Sequence, residues 1–183
     1  PVPTEKNKTV SFVHISLLNY QKNAGDIIRA MSILKKENPN FHLMIFGPLT
    51  AELIRLVEDL DLRSEISFHE EIPQVELSKF IQRSNALILY SRYETFGCVI
   101  IEALACGKPV ILSDLPVLHE NALEGFNAIF AKNEDPADLA EKLNWFMQNM
   151  EKFDNAAIAQ QAALTYSYEK VGKQFCDWYE RTV

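Results

Sequence analysis

The sequence predicts an α/β fold: a doubly wound, Rossmann-like parallel sheet of about six strands with helices on both faces. Three observations carry that reading. Short β-branched or aromatic runs alternate with segments whose apolar residues recur at helical spacing. One run, Ala86-Leu-Ile-Leu-Tyr90, is apolar at every position, as a strand covered on both faces must be. Strict strand–helix alternation, finally, implies right-handed crossovers between parallel neighbours.

Residues 9–16 are β-branched and aromatic, so they read as the first strand. Residues 22–37 carry Ile27, Ile28, Met31 and Leu34 as a helical stripe that stops before Asn38-Pro39. A second strand spans 41–46 and is ended by Gly47-Pro48. A helix over 51–60 places Leu53, Leu56, Val57 and Leu60 on one side. Residues 65–69 form a short third strand and 75–83 another helix. After the buried strand at 86–90 come a helix over about 96–106, a strand at 109–112 and a last strand at 127–131. Residues 137–150 and 168–179 are helical, with a further helix between them. Ligands of such sheets bind at the carboxyl ends of the strands, which singles out the loops after Ser16, Phe46, His69, Tyr90 and Leu112.

A length of 183 residues suits one domain, assigned to 9–183, preceded by a polar connection at 1–8. That start, without an initiator methionine, fits a domain cut from a longer polypeptide. The net charge of −7 excludes nucleic acid as a general partner, which would need a basic face. One small phosphate site remains compatible with it. Three cysteines without a CxxC pair argue against a disulfide framework or thiolate zinc site, so a reducing, cytoplasmic setting is expected. The four histidines show no metal-ligand spacing. No apolar run approaches the roughly 18–20 residues of a membrane-spanning helix, and no secretory signal is visible. The chain reads as soluble.

The stretch from Tyr90 to Ile111 carries the chemistry. A buried strand runs into a polar loop, then a helix beginning near Thr95 to Gly97. The free N–H groups and positive dipole end of such a helix start suit a phosphate, and Gly97 lets a ligand come close to the backbone. Glu102 is the anomaly, the one carboxylate in Cys-Val-Ile-Ile-Glu-Ala-Leu-Ala-Cys. A helix so apolar is expected to be largely buried, and a buried charge needs donors. They come either from a neighbouring cation, Lys108 or Arg92, or from a ligand's adjacent hydroxyls.

Glu94 and Glu102, separated by seven residues, stand in Glu-Thr-Phe-Gly-(x)4-Glu-Ala-Leu-Ala-Cys-Gly-Lys-Pro-Val. This resembles the E-x7-E motif of retaining GT-B glycosyltransferases of the glycosyltransferase 4 family. The matching residues are Ser91, Glu94, Phe96, Gly97, Glu102, Ala103, Ala105, Gly107, Pro109 and Val110. Phe46-Gly47-Pro48, Asn133-Glu134-Asp135-Pro136 and the aromatic stretch after Tyr166 extend the likeness over nearly the whole chain.

The resemblance implies the C-terminal, donor-binding half of a GT-B fold, acting on a nucleoside-diphosphate sugar without metal or other cofactor. By it, Glu102 would hold the ribose hydroxyls, while Glu94, Thr95, Phe96 and Gly97 would hold the transferred sugar. Ser16, Lys22 and Gly97 would meet the diphosphate, with Lys22 stabilising the leaving charge, and Gly47 and Ile72 would lie at the base. Transfer of a hexose to an acceptor would need an absent N-terminal domain of the same polypeptide, which could also bring the protein to a membrane surface. The fragment alone is then expected to be inactive. Two departures stand out: Leu17 occupies the place of an arginine that clamps the diphosphate, and Ala128 that of a glycine. A nucleotide-sugar epimerase half and a non-catalytic binding or scaffold module are the alternatives, the latter kept open by Leu17.

Other signals carry less. Asp59-Leu60-Asp61 has the form of a metal-binding DxD but ends an amphipathic helix, so it reads as a solvated turn. His119 and Glu120 read as crevice-facing or as a surface cap. Cys98 and Cys106 read as small core residues.

Overall fold

The computed structural model describes residues 9–182; the expected connection at 1–8, and residue 183, lie outside them. Val10–Ile15 forms β1, Phe41–Phe46 β2, Ile66–His69 β3, Ala86–Leu89 β4, Val110–Ser113 β5 and Ala128–Ala131 β6. All pairings are parallel, in the order β3-β2-β1-β4-β5-β6. Helices α1 (Ala24–Glu37), α2 (Ala51–Asp59), α3 (Gln74–Arg83), α4 (Cys98–Ala105) and α5 (Pro136–Gln148) follow strands in turn, and α6 (Asn155–Tyr166) and α7 (Tyr168–Thr182) close the chain. The chain leaves one edge of the sheet after β3 and restarts beside β1 with β4. β1 and β4 are therefore the pair at which the winding reverses, the place where crevices open in such sheets.

Local chemistry explains the element ends. Thr50 Oγ1 accepts the amide of Leu53 (3.4 Å), Asp135 that of Asp138 (3.2 Å) and Asp154 those of Ala156 and Ala157 (2.9 and 3.1 Å), so three helices begin on a side-chain cap. Pro136 follows Asp135 in the first turn of α5, where its missing N–H costs nothing. β4, β5 and β6 are buried at every residue, as the unbroken apolar runs require. Fully buried Tyr90 follows β4; its hydroxyl donates to the Lys132 carbonyl and accepts from the Asp135 amide (2.8 Å), tying the end of β4 to the start of α5. Burial pushes that phenol up to about 12.

The structure corrects the helix starts nearest the crevice. α1 begins at Ala24 rather than residue 22, and α4 at Cys98 rather than about 96. In each case a left-handed residue stands immediately before the helix, Asn23 (φ 53°) and Gly97 (φ 76°). The turn it makes keeps Lys22 and residues 94–96 in loops, free to face the ends of the strands. Among the described residues no helix is long and apolar enough to cross a membrane.

Candidate functional site

Register fixes where the site forms. Ile15 pairs with Phe46 and Phe46 with His69, so β1, β2 and β3 end level with one another. Beyond those ends, toward β4, lies a cavity of about 520 Å³ lined by Ser16, Leu17, Lys22, Gly47, Glu71, Ile72 and Leu77, and by the loop and first turn from Glu94 to Val99. Residues from four separate segments, those at the ends of β1, β2, β3 and β4, thus converge on the switch point. Ser16, Lys22, Gly47, Ile72, Glu94, Thr95, Phe96 and Gly97, singled out separately in the sequence, share this wall.

Glu94 is the most constrained of them. Its side chain is 3% exposed, and Oε1 receives both the Lys22 ammonium and the Ser91 hydroxyl (2.8 Å). Ser91 is itself buried, and its carbonyl accepts from the buried Ser113 hydroxyl at the end of β5 (2.8 Å). A chain of hydrogen bonds therefore runs from β5 to the carboxylate. The family resemblance marks Ser91 as part of a motif, but not its hold on Glu94, and the loop opened by Ser113 reads as crevice-facing without any link to Ser91. Gly97, buried and left-handed, precedes α4; the Ile100 amide returns to the Gly97 carbonyl (2.8 Å), which leaves the Cys98 and Val99 amides at the cavity wall without intrahelical acceptors.

Glu102 stands differently from expectation. It is half-buried rather than enclosed, because α4 turns Cys98 and Ala105 outward and buries only Ile100, Ala103 and Leu104 fully. Among the described residues it joins no ion pair; its Oε1 accepts from the neutral Gln74 amide of α3 at 2.9 Å. Arg92 turns instead to Asp26 and Glu134. Glu102 is not in the cavity wall itself. It lies one turn beyond Cys98 and Val99 on α4, where i+3 and i+4 neighbours align, and lines a separate shallow depression between α3 and α4 with Gln74, Ser78 and Cys106.

Other expectations are revised. Cys98 is exposed at the cavity and so is not a core residue, whereas Cys106 is half-buried, packed against the edge of the core and near the Ser78 carbonyl. His119 stacks on Phe130 and meets Asp114 (2.7 Å) away from the cavity wall. Asp59 ends α2 and Asp61 turns left-handed (φ 52°) to meet Lys35, as a solvated turn does. Leu17, where a second cation was looked for, is 61% exposed and projects at the cavity.

His14, one of four histidines without a sequence signal, is fully buried at the root of the site. Its Nδ1 donates to the Ile88 carbonyl (2.9 Å) and its Nε2 meets the Ser16 hydroxyl (2.8 Å). Burial pushes its pKa down from 6.5 to about 4. The unfolded chain therefore takes up a proton near pH 6.5 that the folded chain refuses until about pH 4. This group's contribution is complete above pH 6.5 and drains away as pH falls through 4, by about 3 kcal/mol in all. Urea unfolding at pH 7 and pH 4.5 checks it: His14→Gln, which cannot titrate, is expected to remove that part of the acid slope.

Comparison with known proteins comes from sequence and from structure. The family model described as glycosyl transferases group 1 matches residues 2–163. A glycogen synthase of Mycobacterium tuberculosis is 27% identical over 159 residues, covering 86% of this chain and 38% of that one. A D-inositol 3-phosphate glycosyltransferase of Corynebacterium urealyticum is 26% identical over 182 residues, covering 94% of this chain and 42% of that one. The crystal structure of Anabaena HepE in complex with UDP and glucose superposes with a TM-score of 0.83 at 20% identity, over 96% of this chain and 49% of that one. At that identity the superposition speaks for the fold alone. The chain spans about two fifths of the length of these curated relatives.

Proposed function

The chain belongs to the glycosyl transferases group 1 family, and from that premise we propose that it is the donor-binding, C-terminal half of a retaining GT-B glycosyltransferase. It would carry a hexose on a nucleoside diphosphate toward an acceptor held by an N-terminal half. The observation that carries this reading is the meeting of Lys22, Glu94 and the first turn of α4 around one cavity at the switch point. One cation, one buried acceptor and a set of free amides are the groups that a sugar diphosphate asks for.

In this reading the diphosphate lies between Lys22 and the amides beyond Gly97, whose fixed positive charge stabilises it most as it departs. These are donors to phosphate rather than ligands of a metal, so transfer would need neither metal nor further cofactor. Glu94 accepts from hydroxyls of the sugar, with Thr95 and Phe96 beside it, and Glu102 from the ribose. Gly47 and Ile72 border the base. Leu17 leaves Lys22 as the main cation of the clamp. The exposed aromatic face of α7, with Phe175 and Tyr179, gives the N-terminal half a surface to meet.

Calorimetric titration of the chain with UDP-, GDP- and ADP-glucose tests the reading, and one of the three is expected to bind. Glu102→Ala removes a charged acceptor worth about 1.5–3 kcal/mol, so it should weaken that donor roughly 10- to 100-fold. Inorganic pyrophosphate, which has no ribose, should bind the variant and the unaltered chain alike. Binding of none of the three would favour the scaffold alternative that Leu17 raises.

A further inference from the structure

The Ser16 hydroxyl stands at the phosphate end of the cavity with its only proton already committed. The Ile88 carbonyl has no proton to give, so the 2.9 Å contact requires the hydrogen to sit on His14 Nδ1. Nε2 of the neutral ring is then an acceptor, and the Ser16 hydroxyl donates to it at 2.8 Å. The same oxygen accepts the Leu18 amide (3.1 Å), and the Ser16 amide is spent on the Phe46 carbonyl (3.1 Å). Toward the cavity Ser16 thus offers only a lone pair, which a phosphoryl oxygen cannot use.

A second proton on His14 inverts this arrangement. Nε2–H donates to the Ser16 oxygen, which still accepts from Leu18, and the hydroxyl hydrogen is released to turn into the cavity. A hydroxyl with two acceptor sites and one donor is then fully used. We propose that His14 is a positioning residue that sets the polarity of the Ser16 hydroxyl, so that seating a sugar diphosphate is coupled to uptake of one proton by His14. The inference rests on the nucleotide-sugar reading above. The proton comes from solvent, and no covalent bond changes.

The surroundings are compatible with such a coupling. The ionisable groups on the elements around β1 are Lys22, paired with Glu94; Asp26 of α1, held by Asn23 and Arg29, with Lys35, Lys36 and Glu37 farther along that helix; Glu76, Lys79 and Arg83 of α3; His42 of β2; and Tyr90 after β4. Of these, Lys22 is the one that acts on His14, and like burial it opposes the second proton. A diphosphate placed against Lys22 offsets that charge and adds its own attraction for the proton.

The test is titration of the chain with UDP-, GDP- and ADP-glucose, whose phosphodiesters do not titrate near neutrality, between pH 7.5 and 5.5. Buffers of different ionisation enthalpy count the protons taken up. For the donor that binds, affinity is expected to rise toward tenfold per pH unit on the acid side, with buffer-dependent heat. Ser16→Ala is expected to flatten both, and Ser16→Thr, which keeps the hydroxyl, to retain them. Equal heats in all buffers, or a slope that survives Ser16→Ala, overturn the inference while leaving the donor reading standing. Binding of no donor overturns both.

Discussion

Lys22→Ala is expected to lower stability and donor affinity together, for separable reasons. Glu94, with 3% of its side chain exposed, keeps only the Ser91 hydroxyl once the ammonium is gone. Removing one partner of a buried pair costs about 3–5 kcal/mol because the other charge is left stranded. Lys22 is itself 19% exposed, so water recovers part of that loss and about 2 kcal/mol is the expected cost in urea. The second loss is the cation facing the proposed diphosphate, a charge-assisted contact of about 2–3 kcal/mol, or roughly 30- to 100-fold in affinity. Lys22→Ala combined with Glu94→Gln, read against Glu94→Gln alone, separates the two. With no carboxylate left to strand, stability returns, but binding of the nucleotide sugar does not. A double variant that regains affinity would remove Lys22 from the binding machinery, and a single variant as stable as the unaltered chain would show the pair to be slack.

Gly47→Ala is expected to be the most destabilising single methyl in the site. A Cβ at this position would lie 2.0 Å from the Ser16 carbonyl oxygen and 3.0 Å from Leu18 Cγ, and the backbone φ of +147° is one that side chains seldom adopt. The obstacle is backbone, so it cannot rotate away. Either β2 or the end of β1 must retreat, breaking the bonds from Ser16 to Phe46 and from Gly47 to His69 (both 3.1 Å). Overpacking and backbone strain together come to about 4 kcal/mol. Gly125→Ala is the control. Its φ is also positive (+75°), but nothing lies within 4 Å of the added methyl, so about 1 kcal/mol is expected. Denaturant midpoints compare them, and equal losses would show that the tight approach of β2 to Ser16 is not a constraint.

Both predictions follow from how closely the loops after β1, β2 and β4 are drawn together, and this is where reading residues in order has its limit. Alternation of apolar runs is a local property, recorded within about a dozen residues, so strands, helices and their parallel arrangement could be read without a structure. The motif around Glu94 and Glu102 was legible for the same reason, as a short string. Lys22 and Glu94 lie 72 positions apart and His14 and Ile88 lie 74 apart, and no periodicity links such residues. Glu102 shows the converse error. Its apolar neighbours implied enclosure, but a helix of eight residues packed on the sheet, α3 and α6 leaves an open stripe, which composition cannot reveal.

The amino-acid order by itself determined the fold class and the crevice at the strand ends, because short-range patterning dictates which backbone each segment adopts, while the residues that border the crevice were named through the family resemblance. Only the packed structure decided that Glu94 is gripped by Lys22 and Ser91, that Cys98 faces outward, and that a buried His14 meets the Ser16 hydroxyl. Hydrogen-bond partners and burial depend on which surfaces meet across the sheet, and that is known only once the strands have found their neighbours.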